Sequence, residues 1–137
     1  MESFTTFEIE KKLGIPRNRL QQWIDRGFVT PSEQARGHGT KNRFSRHDLY
    51  RIELFRRLAW YGLSRKESAE YSDISFENVG QSKYLVVKRE VPDENAICMI
   101  GTSEIVSSPP KIVFNVDMLV FVINLLLIQE KVDRKLA

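Results

Sequence analysis

Between Pro16 and Ile24 the chain places Arg17, Asn18, Arg19, Gln21 and Gln22, with no acidic residue among them. These side chains can address the edges of base pairs: arginine pairs in a bidentate way with guanine, asparagine and glutamine with adenine. The same groups can grip phosphates, which positions a protein without reading sequence. Further on, Arg36, His38, Lys41, Asn42, Arg43 and Arg46 surround Gly37 and Gly39, and no acid lies between Glu33 and Asp48. Small residues let a backbone approach a phosphate chain closely, and flanking cations neutralise it. A solvated face or a plain surface loop would usually mix both signs of charge, so the absence of acids favours a polyanion.

Catalytic chemistry finds no comparable constellation. His38 and His47 lie in or beside the basic loop, without a nucleophile or carboxylate partner identifiable from spacing. There is no glycine motif for phosphates, no zinc-ligand spacing and no serine elbow. The expectation is therefore a protein that is not an enzyme and carries no cofactor or metal. The single cysteine, Cys98, allows no intramolecular disulfide, and within "AICMI" it reads as a small buried thiol.

The elements that must position these groups are mostly helical. Thr5 to Glu8 fits a capping box that opens a short helix, and Gly14 can close it in a left-handed conformation. Pro16 suits the start of the next helix, whose core face is Leu20, Trp23 and Ile24 at spacings of three and four. Gly27 ends it, and Phe28 to Pro31 reads as a short extended segment. Residues 32–43 are polar and form a loop or wing. Ser45 to Asp48 is a second capping box, leading a helix with Leu49, Ile52, Phe55, Leu58 and Ala59 on its apolar side. Gly62 ends that helix, and Ser64 to Glu67 is a third capping box, opening a shorter helix that reaches about Tyr71. Arg51, Arg56 and Arg57, outside the apolar stripe, and Arg65 and Lys66 at the next corner, can either meet phosphates or solvate the surface.

The second half has another character. Residues 1–71 hold 14 Lys/Arg against 9 Asp/Glu, net +5, whereas residues 72–137 hold 7 against 9, net −2. Only the first half is suited to a polyanion. Residues 83–91 ("KYLVVKREV"), 96–102 ("AICMIGT") and 111–116 ("KIVFNV") read as strands, the first two separated by the turn signal "PDEN". From Asp117 the sequence reads as one long helix, capped by Asp117 or Asn115 and apolar nearly all round from Met118 to Ile128. That run is too short to span a bilayer, and the first residues lack the apolar core of a signal peptide, so a cytoplasmic protein without a membrane partner is expected.

Read together, "FTTFEIEKKLGIPRNRLQQWIDRGFVTP", the basic loop and "NRFSRHDLYRIELFRRLAWYGLSRKES" resemble the MerR-type winged-helix DNA-binding domain over about residues 4–71. Four landmarks carry the resemblance: Gly14-Ile15, Asp25-Arg26-Gly27-Phe28, Arg43-Phe44-Ser45 and Tyr61-Gly62-Leu63-Ser64. The family commonly has Arg-Tyr-Tyr where this chain has Gln21-Gln22-Trp23. The resemblance implies a regulator of transcription that binds double-stranded DNA. Arg17, Asn18, Arg19, Gln21 and Gln22 would lie in the major groove, and Arg36, Lys41, Asn42 and Arg43 would form the wing's contacts. It also implies a homodimer, because such regulators pair through a C-terminal helix.

The expected architecture is α+β: a mainly helical winged helix-turn-helix domain over 1–72, a linker over 73–82, and strands plus an apolar C-terminal helix over 83–137. Phe121, Leu125, Ile128 and Val132 form a candidate dimer seam at helical spacing. Tyr84, Val86, Met99 and Phe114 would line a small-molecule effector site, or serve as ordinary core, the reading favoured for such residues. Two other functions stay open: an excisionase-like architectural factor that bends DNA, and a protein-interaction adaptor on the same scaffold.

Overall fold

The computed structural model describes residues 2–76, 84–90, 100–106 and 118–137. Along the chain these form β1 (Phe4–Thr5), α1 (Thr6–Leu13), α2 (Arg17–Asp25), β2 (Arg43–Phe44), α3 (Arg46–Trp60), α4 (Arg65–Ser75), β3 (Tyr84–Glu90), β4 (Ile100–Val106), β5 (Met118–Asn124) and α5 (Leu125–Leu136). The architecture is α+β, as the sequence predicts.

Both capping boxes at the starts of α1 and α3 form. Thr5 Oγ1 accepts from Glu8 N while Glu8 Oε2 accepts from Thr5 N, and Ser45 and Asp48 repeat the exchange. Each box satisfies amides that the first helical turn leaves without partners. At α4 the Ser64 hydroxyl accepts from Glu67 N. That helix continues to Ser75, past the expected end at Tyr71. Ser68, Ser72 and Ser75 explain the extra turn: each hydroxyl donates to the carbonyl four residues back, which hides its polarity on a buried face.

β1 and β2 pair antiparallel, Phe4 opposite Phe44 and Thr5 opposite Arg43. Two residues on each side leave no periodicity to read, so the sequence gives no sign of this pairing. The second sheet has the order β4-β3-β5, all antiparallel. β3 matches the first expected strand. β4, Ile100–Val106, takes in the end of the expected second strand, whose residues 96–99 lie outside the described residues. The expected strand 111–116 lies outside the described residues, as do Cys98, Met99 and Phe114.

The expected single C-terminal helix is corrected by the structure. Residues 118–124 are β5, paired along β3 from Met118↔Glu90 to Asn124↔Tyr84, and the helix starts only at Leu125. The β-branched and aromatic run Val120 to Ile123 suits a strand, and Asn124 marks the change. Its Oδ1 accepts from Leu126 N at 3.0 Å and Leu127 N at 3.3 Å, capping α5 in place of Asp117 or Asn115.

One core joins both halves. Leu20, Phe44, Leu49, Ile52, Leu54, Phe55 and Leu58 share it with Leu85, Val87, Ile123, Leu125, Ile128 and Val132. Three residues of the candidate dimer seam belong to this core: Leu125, Ile128 and Val132 are at most 2 % exposed within a single chain, on a helix packed against α1 and α3. Phe121 lies on β5, so helical spacing does not connect it to them.

Candidate nucleic-acid interface

α1 and α2 meet at a turn fixed by Gly14, whose φ of 74° places it in the left-handed region and whose amide donates to Glu10 O at 3.1 Å. Pro16 then leads α2 with its φ already suitable for the turn. Leu20 and Trp23 point inward, and Trp23 meets Phe55 of α3 edge-on at 4.9 Å between ring centres. This contact fixes the rotation of α2 about its axis. Its opposite side therefore presents Arg17, Asn18, Arg19, Gln21 and Gln22, all five exposed.

Those five residues are not equivalent. Arg17 binds Glu10 at 2.6 Å and lies over the Phe7 ring, 5.6 Å from its centre. Asn18 Oδ1 accepts from Arg19 N, and Gln21 Nε2 donates to Asp25 Oδ1 at 2.9 Å. Arg19 and Gln22 have side chains without a hydrogen bond or ion pair among the described residues.

The basic loop is a closed hairpin. Glu33 and Arg43 exchange backbone hydrogen bonds at 3.1 and 2.8 Å, so β2 has β1 on one side and the returning loop on the other. Toward the tip, Asn42 Oδ1 accepts from Ala35 N at 2.7 Å, and Thr40 Oγ1 accepts from Arg36 N and donates to Gly37 O. Gly37 and Gly39 both take positive φ, which makes the reversal possible without strain. The structure thus uses Asn42 to brace the wing, and Arg43 to reach Ser3 Oγ at 2.9 Å. The side chains of Arg36, His38 and Lys41 are exposed and without a hydrogen bond or ion pair among the described residues.

The base of the wing is fixed by Asp48, only 5 % exposed. Besides capping α3 it accepts from both Ser32 N, at 3.1 Å, and Ser32 Oγ. Sequence reading finds the cap from its spacing but not the second role, which spans sixteen residues. Arg51 approaches the same carboxylate at 3.5 Å.

Of the cations outside the apolar stripe of α3, Arg56 and Arg57 serve an internal purpose. Arg56 binds Glu53 at 2.6 Å and donates to Leu13 O at 3.3 Å, while Arg57 and Lys131 approach Glu53 at 3.9 and 3.6 Å. Glu53 is 2 % exposed, and a buried carboxylate requires such partners. The spacing Glu53–Arg56–Arg57 was the available signal for it. Arg65 and Lys66 remain exposed at the corner between α3 and α4. Of the effector set, Tyr84 is half-buried and Val86 buried, which suits a core role. No group of residues able to hold a metal ion occurs among the described residues, and none of their helices is long and apolar enough to cross a membrane.

The chain matches the family model of the MerR HTH family regulatory protein over residues 4–73, a span that starts at β1 and ends within α4. A match to this family supports a DNA-binding regulator. No curated protein matches the chain.

Proposed function

We propose that this chain, which belongs to the MerR helix-turn-helix regulatory family, binds double-stranded DNA in a sequence-specific way as a homodimer and so regulates transcription. In this reading α2 enters the major groove and the wing lies on the backbone or in the minor groove. A single observation carries it. Arg19 and Gln22 on α2, and Arg36 and Lys41 on the wing, stand exposed and without internal partners on elements fastened to one core. Cations and amides not engaged within the protein are available to phosphates and base edges.

Arg17, Asn18 and Gln21 serve as positioning or phosphate contacts, since each already has a neighbour to hold its direction. Asn42 and Arg43 keep the wing in shape and present its backbone. A homodimer would offer two such surfaces to a two-fold-related site. Its contacts would come from the exposed apolar residues of the β5–α5 unit, Val122, Leu126 and Leu127, which are 43, 42 and 55 % exposed.

The test replaces Arg19 and Lys41 together by alanine, since neither supports the fold. Affinity for a selected duplex at moderate salt should fall about 10- to 1,000-fold with unchanged urea unfolding. Unchanged affinity would remove both residues, and with them this reading of the surface.

A further inference from the structure

We propose that the C-terminal helix sets the position of the wing, through a relay that runs from Asp133 by way of Arg46 to the N-terminal strand. Its functional consequence rests on the DNA-binding reading above, but the relay itself does not. Asp133 on α5 accepts from Arg46 Nη1 and from Tyr50 Oη, both at 2.7 Å. Arg46, the first residue of α3, also forks onto Glu2, with Nε to Oε2 at 2.8 Å and Nη2 to Oε1 at 3.1 Å. Ser3 follows, receiving the Arg43 guanidinium, and then β1 pairs with β2 along the base of the wing. Charge-assisted bonds from Arg46 to Asp133 and Glu2, the covalent step from Glu2 to Ser3, and the Arg43 bond to Ser3 therefore join residue 133 to the hairpin that carries Arg36 and Lys41.

Tyr50, 7 % exposed, donates to the same Asp133 oxygen that receives Arg46, and so holds that oxygen at the end of α3. Two further links, Lys131 to Glu53 and Lys12 Nζ to Leu136 O at 3.3 Å, anchor α5 against α3 and α1 on either side of Asp133. The hydrogen bond from Arg46 also holds the Glu2 carboxyl below its ordinary range. Arg46 and Asp133 are thus positioning residues for the wing. Any event in the β-sheet region that shifts α5 reaches the DNA-facing hairpin by this route.

Amide exchange in the free protein tests the relay without DNA. The reporters are Glu33 N and Arg43 N, which close the wing, with Leu63 N on Leu58 O as an internal control. Asp133→Asn and Arg46→Gln should each raise exchange at the two wing amides about three- to tenfold. The double variant should exceed neither by much, because either break opens the same path. Leu63 should not move. Equal acceleration at all three amides, no acceleration at the wing, or additive effects would each overturn the relay. Duplex affinity is measured on the same variants. A loosened wing with unchanged affinity sustains the relay and counts against the wing as a DNA contact.

Discussion

Asp48 and Tyr50 sit two residues apart on α3 and show how far single side chains reach. Asp48 holds Ser32 at the foot of the wing while capping its own helix. Asp48→Ala should therefore cost about 2 kcal/mol, a cap plus a stranded partner, read as a shift of the urea midpoint. Tyr50 is pushed up to about 12 by burial, then by the hydrogen bond to Asp133 and that carboxylate's charge. A folded value above the usual 10.0 favours the protonated ring, so the stability it lends is complete below pH 10 and disappears as pH rises toward 12. Spectrophotometric titration should show a phenol ionising near pH 12 that vanishes in Tyr50→Phe. At this scale the sequence reveals roles that act over three or four positions, such as the caps and Gly14, whereas Arg56 and Arg57, read there as phosphate contacts or surface charges, turn inward to Glu53. The bonds from Ser32 to Asp48 and from Arg46 to Asp133 cross the fold, and nothing local announces them.

At the scale of elements, α2 and the wing behave as two arms of one clamp. Trp23 against Phe55 sets the first, and Asp48 with the β1–β2 pair sets the second. Each arm should leave a distinct mark in the salt dependence of binding. Lys41→Ala should lower the slope of log affinity against log salt by about 0.9, the loss of one phosphate contact, with little change in sequence preference. Gln22→Ala should instead relax preference at one position while leaving that slope intact; anisotropy titrations over a range of salt separate the two. Helices α1 to α4 were legible because caps and apolar spacing agree. The β5–α5 unit was not, because six apolar residues and Asn124 followed by an apolar-faced helix give much the same pattern as one long helix. Only pairing with β3, whose residues lie 28 to 40 positions earlier, decides for the strand.

For the whole molecule, one core shared by the helical half and the β-sheet means that the two halves fold together, and that one face of α5, Leu125, Ile128 and Val132, is used for packing within the chain. Leu125→Asp should abolish cooperative unfolding, since that side chain is 1 % exposed. Leu126→Asp with Leu127→Asp should leave the circular dichroism spectrum unchanged and convert a dimer to monomers by light scattering; a dimer that survives would place the interface elsewhere. Family and fold class were legible from landmarks in the first half, whereas the packing of the second half onto it required the structure. The central claim, that α2 and its wing read a two-fold-related duplex, is tested most directly by selecting bound duplexes from a random pool. Enrichment of a motif with two related half-sites separated by about one helical turn, or a multiple of it, is expected. Recovery of duplexes with no shared sequence, or of none above background, would contradict it.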